Sequence, residues 1–176
     1  MRRQTGKPGP KDYRAALKAL LDTSTFVDIG RAVKHTRAPW AQNTLRHLLD
    51  YKADHSQLTL STFTVFEHLD GLHRDGQFDA AKEFSLKVLP QFEIIETDQN
   101  IIALGAEINA TLAKARQTIG LVDCLIAATA ICRNLTLINS NTRHFLRVID
   151  HGYPLTLENW RVERPIFPGE ENIVAS

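Results

Sequence analysis

Five short runs rich in apolar and β-branched residues, separated by longer segments with helical periodicity, restrict this chain to a small set of folds. The runs lie at residues 19–22, 58–61, 92–97, 135–139 and 155–157. Strands that alternate with helices are joined by right-handed crossovers, which produce a parallel sheet covered by helices on both faces. We therefore expect an α/β protein with three layers, α/β/α, around a mostly parallel central sheet.

The segments between the runs carry their own start and stop residues. Gly71 is expected to end the helix that begins at Thr62, and Pro90 to stop the helix that begins at Ala80. Asp123 is expected to open a strongly apolar helix that runs to Cys132. The other predicted helices begin after Pro39 and at about Gln99, the latter running to about Arg116.

A chain of 176 residues with 43% hydrophobic content is the size of one ordinary domain and can bury a core without disulfides. We place that domain at residues 19–161. Residues 1–18 contain six Lys and Arg against one Asp, together with two Gly and two Pro, and are expected to form a flexible basic leader. Residues 162–176 are expected to form a C-terminal tail.

Two features predict where the protein works. The sequence has no run of about 18 uninterrupted apolar residues, and its beginning lacks the apolar core of a secretory signal. Cys124 and Cys132 are too far apart along one helix for a disulfide and are expected to be buried thiols. We expect a soluble cytoplasmic protein without membrane contact.

Oxygen-bearing side chains follow several of the predicted strands. Asp22 ends the first strand, Glu67 lies in the helix after the second, Asp123 begins a buried helix, and Asn141 comes just after the fourth strand. Because ligands of open α/β sheets bind beyond the carboxyl ends of the strands, these four side chains are expected to meet at one rim. Oxygen ligands select hard cations, which predicts Mg²⁺, with Mn²⁺ as a substitute.

Each of these residues also has a purely structural explanation. Asp22 can cap the next helix, Asp123 can complement a helix N-terminus, Glu67 can be solvated and Asn141 can form a turn. The acids nevertheless interrupt apolar stretches, where an unpaired charge costs several kcal/mol, and one cation can compensate several carboxylates. Arg116, Arg143 and His144 could contact phosphate, although solvated or locally hydrogen-bonded roles explain them as simply.

Five segments together resemble the VapC group of PIN-domain ribonucleases. They read LLDTS, STFTVFE, IGLVDCLIAATA, LTLINSNTRHF and LENW, and they occur in that order at residues 20–24, 61–67, 119–130, 135–145 and 157–160. The resemblance implies that Asp22, Glu67 and Asp123 are the principal acids and metal ligands of the site. Asn141 then occupies the position of a fourth acid, which other members replace with Asn.

The resemblance also implies an activity and partners. The expected activity is Mg²⁺-dependent endoribonuclease cleavage, in which metal-activated water cuts RNA to leave a 5′-phosphate and a 3′-hydroxyl. Candidate substrates are tRNA and other structured RNA. The expected partners are a VapB-type antitoxin and a second copy of the chain. Two positions depart from the family pattern: Asn139 replaces the usual Thr or Ser, and Leu121 stands where many members carry a further acid.

Two other functions remain open at this point. A catalytically weak PIN-like module that binds RNA or protein would follow if Asn141 and Leu121 weakened metal binding. An aspartyl phosphotransferase would also place an Asp at the end of the first strand with Thr after it. Ser24 stands where the second Asp of such a motif is expected, which disfavours the phosphotransferase.

Overall fold

The structure is a computed structural model that describes residues 18–163. The predicted leader, apart from Lys18, and the predicted tail from residue 164 lie outside the described residues. Lys18 itself forms an ion pair with Glu93, so the described part of the chain begins in contact with the sheet.

The central sheet contains five strands that are all parallel, in the order β3-β2-β1-β4-β5. The strands are β1 (Ala19–Leu21), β2 (Thr59–Ser61), β3 (Glu93–Ile95), β4 (Thr136–Ile138) and β5 (Thr156–Glu158). Each of the five predicted strands is therefore present, and the α/β class is confirmed. β1 lies in the middle of the sheet, with β2 and β3 on one side of it and β4 and β5 on the other. The strand order therefore reverses at β1, and ligands of such sheets bind at the carboxyl end of the strand where this happens.

Seven α-helices connect the strands in the described part of the chain. They are α1 (Thr23–Ala32), α2 (Pro39–Asp54), α3 (Thr62–Arg74), α4 (Phe78–Glu83), α5 (Gln99–Lys114), α6 (Leu121–Cys132) and α7 (Thr142–Asp150). A π-helical turn, Phe84–Val88, and a 3₁₀ turn, Leu89–Gln91, continue from α4.

Two of the predicted helix ends are wrong. Helix α3 continues past Gly71 to Arg74, because a glycine in an exposed helix lowers helix stability only slightly and does not end the helix. The chain turns at Gly76 instead, whose φ is 69°. Pro90 does not stop an α-helix. It lies in the first turn of the 3₁₀ segment, where its missing N–H has no partner to lose.

The sheet separates two hydrophobic cores. Leu20 packs with α5, α6 and α7 on one face, and its neighbour Leu21 packs with α2 and Trp160 on the other. This alternation follows from the two-residue period of a strand, and it confirms the predicted helical layer on each face. Cys124 is buried as predicted, whereas Cys132 is only partly buried. Within residues 18–163, no helix is long and apolar enough to cross a membrane.

Candidate active site

Asp22 lies directly after β1 and caps the N-terminus of α1. Its carboxylate is buried, with 5% of the residue exposed, and Oδ2 accepts hydrogen bonds from the Ser24 backbone N–H at 3.2 Å and the Ser24 hydroxyl at 2.8 Å. Burial raises the pKa of Asp22, the Ser24 hydrogen bonds oppose that rise, and the charge of Asp123 adds to it. Asp22 therefore caps α1 and also lies close enough to Asp123 for the two negative charges to interact.

Asn139, which follows β4, completes the surroundings of Asp22. Its Nδ2 donates to Asp22 Oδ2 at 2.6 Å and lies 3.3 Å from Ser24 Oγ. Its own Oδ1 is buried and has no hydrogen-bond partner among the described residues. Three donors thus occupy Asp22 Oδ2 and leave Oδ1 without a hydrogen bond from residues 18–163, so this oxygen can accept a further ligand.

Glu67 comes from the second turn of α3, on the other side of β1. Its Oε2 accepts from the Thr23 hydroxyl at 2.5 Å, which connects α3 to the start of α1. Burial is the largest cause of the raised pKa of Glu67, and the charges of Asp22 and Asp123 raise it further. Glu67 is therefore close enough to both aspartates for their charges to interact.

Asp123 lies in the first turn of α6, which begins at Leu121, two residues before the predicted start. Its Oδ2 is 3.1 Å from the Nδ1 atom of His144 in α7. The carboxylate is about four-fifths buried and the imidazole is nearly half exposed. His144 thus orients Asp123 through a partly exposed imidazole.

Asn141 differs from the three acids in its exposure and in its contacts. It is the N-cap residue of α7 and is exposed, and its side chain makes no capping hydrogen bond. Among the described residues it contacts none of Asp22, Glu67 and Asp123 through a hydrogen bond. The amide that does contact Asp22 belongs to Asn139, two residues earlier.

The three carboxylates provide the donor chemistry of a divalent-cation site. As they stand, each is turned toward its own hydrogen-bond partner, and no group of three Asp, Glu, His or Cys side chains within residues 18–163 has the arrangement needed to hold a metal ion. Mg²⁺ binds through one or two carboxylates and keeps several waters, so a complete protein cage is not required. The free Asp22 Oδ1 and the unpartnered Asn139 Oδ1 fit such a hydrated ion.

A second polar cluster adjoins this site and was not predicted from the sequence. Asp28 of α1 is buried, and Arg161 binds both of its oxygens, through Nη2 to Oδ1 at 2.5 Å and through Nε to Oδ2 at 2.6 Å. The Ser140 hydroxyl also donates to Asp28 Oδ2. The only indication in the sequence was the spacing of Asp28 six residues after Asp22, which does not name a partner 133 positions away.

Comparisons with known proteins agree with this fold. The family model described as "PIN domain" matches residues 19–150. The tRNA(fMet)-specific endonuclease VapC of Salmonella typhimurium is 27% identical over 149 residues, covering 82% of this chain and 98% of that protein.

Two crystal structures extend the comparison to complexes. VapBC2 from Rickettsia felis, bound to a DNA fragment from the promoter, has 26% identity and a TM-score of 0.62, covering 82% of this chain and 99% of the other. DNA-bound VapBC from Salmonella typhimurium, with 21% identity and a TM-score of 0.61, shares the fold over 82% of this chain and 98% of its own. Because the family model covers most of the described residues, this chain belongs to the PIN-domain family.

Proposed function

We propose that this protein is a divalent-metal-dependent endoribonuclease that acts as the toxin of a VapBC-type pair in the cytoplasm. The proposal is carried by the PIN fold, in which Asp22, Glu67 and Asp123 belong to the first two turns or the N-cap of α1, α3 and α6 and lie near enough for the charges of Asp22 and Asp123 to raise the pKa of Glu67. The VapC relative from Salmonella typhimurium, named as a tRNA(fMet)-specific endonuclease, supports RNA as the substrate class.

The chain's own residues would divide the work by their surroundings. Asp22, Glu67 and Asp123 hold the cation, and Asn139 keeps Asp22 turned so that one oxygen faces the site. These residues would hold Mg²⁺ or Mn²⁺, which would supply the acidity that lowers the pKa of a bound water and the positive charge that stabilises the reacting phosphate. His144 fixes Asp123 through Nδ1 and leaves Nε2 for the substrate, and Asn141 on the exposed rim is available to the RNA.

An antitoxin is the proposed protein partner. An open apolar cavity of about 460 Å³ lies between α1, α3 and the turns after α4, lined chiefly by Phe26, Leu72, Phe84, Val88 and Phe92. An amphipathic segment of a VapB-type protein fits such a groove, since its apolar face would cover the partly exposed rings of Phe26 and Phe92. A second copy of the chain is proposed as a further partner, in keeping with the family resemblance.

The deciding experiment is incubation of the purified protein with total RNA and with a set of tRNAs. Parallel reactions contain Mg²⁺, Mn²⁺ or chelator, and the control is Asp123→Asn, which keeps the size of the side chain and removes its charge. We expect discrete cuts that leave a 5′-phosphate and a 3′-hydroxyl, require metal and disappear in the variant. Their absence with every RNA and every metal would refute the nuclease.

One finding favours a second candidate function, an RNA- or protein-binding module without catalysis. The carboxylates are not arranged as a complete ligand set, and Asn141 replaces an acid. Binding of Mn²⁺ measured by calorimetry separates the two functions. A wild-type protein that binds RNA but neither binds Mn²⁺ nor cuts RNA is the binding module.

A further inference from the structure

The Asp28–Arg161 ion pair is connected to the candidate active site through a continuous path of hydrogen bonds. Asp28 Oδ2 accepts from the Ser140 hydroxyl, the Ser140 backbone N–H donates to Ser24 Oγ at 3.2 Å, and the Ser24 hydroxyl donates to Asp22 Oδ2 at 2.8 Å. The far end of this path, Arg161, lies beyond residue 150, where the match to the PIN-domain model ends.

Ser140 connects this path to the residues that surround Asp22. Its hydroxyl is bound to Asp28, its N–H to Ser24, and its carbonyl oxygen accepts from Asn159 Nδ2 at 3.5 Å. Ser140 lies between Asn139, which contacts Asp22, and Asn141, which begins α7. Fixing Ser140 therefore fixes both neighbouring amides and the start of the helix that carries His144.

Arg161 is itself held firmly enough to act as an anchor. Its backbone N–H donates to Asn159 Oδ1 at 2.9 Å, its carbonyl oxygen accepts from Asn43 of α2 at 3.0 Å, and its guanidinium lies 5.3 Å from the ring centre of Trp40. Two parallel N–H bonds to one carboxylate define an orientation that a single point charge does not. The pair thus ties α1, α2 and the segment after β5 to the turn after β4.

We propose that Asp28, Ser140 and Arg161 are positioning residues, which orient Asp22 and the turn after β4 for RNA cleavage. This inference rests on the proposed nuclease function, but it concerns residues that do not touch the metal or the substrate. A merely structural ion pair would support the stability of the fold and leave the rate at saturating RNA unchanged. A positioning pair lowers that rate when it is broken, even in fully folded protein.

The test compares three variants with wild type in metal-dependent RNA cleavage. Ser140→Ala removes the hydroxyl that reaches Asp28, Arg161→Met removes the guanidinium but keeps the apolar stem, and Arg161→Lys keeps the charge without the paired N–H bonds. We expect kcat to fall about tenfold to a hundredfold in Ser140→Ala and Arg161→Met, with KM for RNA within about twofold. Arg161→Lys should lie between Arg161→Met and wild type.

A matched control removes the effect of stability alone. Leu58→Ala deletes a buried side chain just before β2, at the amino edge of the sheet and away from the site, and should lower the midpoint of urea unfolding. All proteins are assayed at a temperature where unfolding curves show them folded. Leu58→Ala should keep the wild-type kcat, although it loses as much stability as the ion-pair variants or more.

A second measurement reports on the geometry without requiring activity. The Ser24 backbone N–H donates to Asp22 Oδ2, so its amide resonance in two-dimensional NMR responds to the orientation of that carboxylate. We expect this resonance to move in Ser140→Ala and Arg161→Met and to stay in place in Leu58→Ala. Wild-type kcat or an unmoved Ser24 resonance in both site variants would overturn the inference. Failure of the wild type itself to cut RNA would refute the proposed function, and the Ser24 resonance would still decide the positioning role.

Discussion

Gly105 allows us to test the packing of the helix that carries Asp123. It lies inside α5, and a Cβ atom built on it would come 2.6 Å from Leu125 Cδ2, 3.4 Å from Leu125 Cγ and 3.5 Å from Leu125 Cα of α6. Two other glycines, Gly30 in α1 and Gly71 in α3, have nothing within 4 Å of the same position. Replacement of each of these glycines by Ala therefore adds the same methyl group, into a tight helix contact at Gly105 and into open space at Gly30 and Gly71.

The expected magnitudes follow from two opposing effects. Ala in place of a helical Gly stabilises by about 1 kcal/mol, through helix propensity and the reduced freedom of the unfolded chain. Overpacking a tight interface costs about 1–3 kcal/mol. Rotation of Leu125 can relieve the contact at Cδ2, but the backbone Cα stays at van der Waals distance. Gly30→Ala and Gly71→Ala should therefore each gain about 1 kcal/mol, and Gly105→Ala should lose about 1 kcal/mol.

Urea unfolding followed by circular dichroism measures all three variants against wild type. At an unchanged m-value, the midpoint should rise for Gly30→Ala and Gly71→Ala and fall for Gly105→Ala. A rise for Gly105→Ala equal to that of the two exposed glycines would refute the close approach of α5 and α6. In the active-site assay, Gly105→Ala should also reduce cleavage, since Leu125 lies two residues after Asp123 on the same helix.

Three further predictions concern titration, thiol chemistry and metal. Without metal, burial and neighbouring charge raise the pKa of Asp22 above 3.8 and that of Glu67 above 4.5. The stability that these two groups contribute is therefore complete below those values and is lost as the pH rises through the raised pKa values. In urea unfolding with chelator present, the stability of Asp22→Asn relative to wild type should increase as the pH increases. Burial raises the pKa of Cys124 to about 11, so at pH 8 iodoacetamide should label it only after denaturation, which mass spectrometry of native and unfolded protein would check. Mn²⁺ should raise the thermal midpoint of wild type but not of Asp123→Asn, and an equal rise in both would place the ion elsewhere.

The strands could be predicted because each is a short apolar run between helical segments, and the parallel sheet followed from that alternation. The ends of the helices were harder to predict. Gly71 resembles a helix stop, but an exposed position in a helix tolerates glycine, and the turn comes at Gly76, which has a positive φ. The switch from α4 into a π-helical turn has no local mark in the sequence. Phe84, the first residue of this turn, packs against the rings of Phe26 and His68, which belong to α1 and α3.

The positions of Asp22, Glu67 and Asp123 at strand and helix boundaries could be inferred from the sequence, because boundaries of a parallel sheet share one edge. Asn141 stays a predicted residue of this rim and lies at the N-cap of α7, whereas the amide that contacts Asp22 is that of Asn139. Asn139 still takes part in the sheet ladder, where its N–H donates to the Glu158 carbonyl oxygen, and its side-chain amide donates to Asp22 just after β1. Side-chain direction at the end of a three-residue strand depends on its last hydrogen bond, which the sequence does not specify.

Two buried aspartates, one at the N-cap of α1 and one within it, show how surroundings separate a carboxylate paired inside the chain from one left without a cationic partner. Asp28 and Asp22 are 2% and 5% exposed, so both have lost most of their hydration. Asp28 is neutralised within the chain by Arg161, whereas Asp22 receives neutral hydrogen bonds and has no Lys or Arg of residues 18–163 within ion-pair distance. Neutral donors only partly offset the cost of burying a charge, and the nearby charges of Glu67 and Asp123 increase it. The fold therefore maintains an uncompensated negative charge at this edge, which a divalent cation and its waters would neutralise and which a second internal arginine would have abolished.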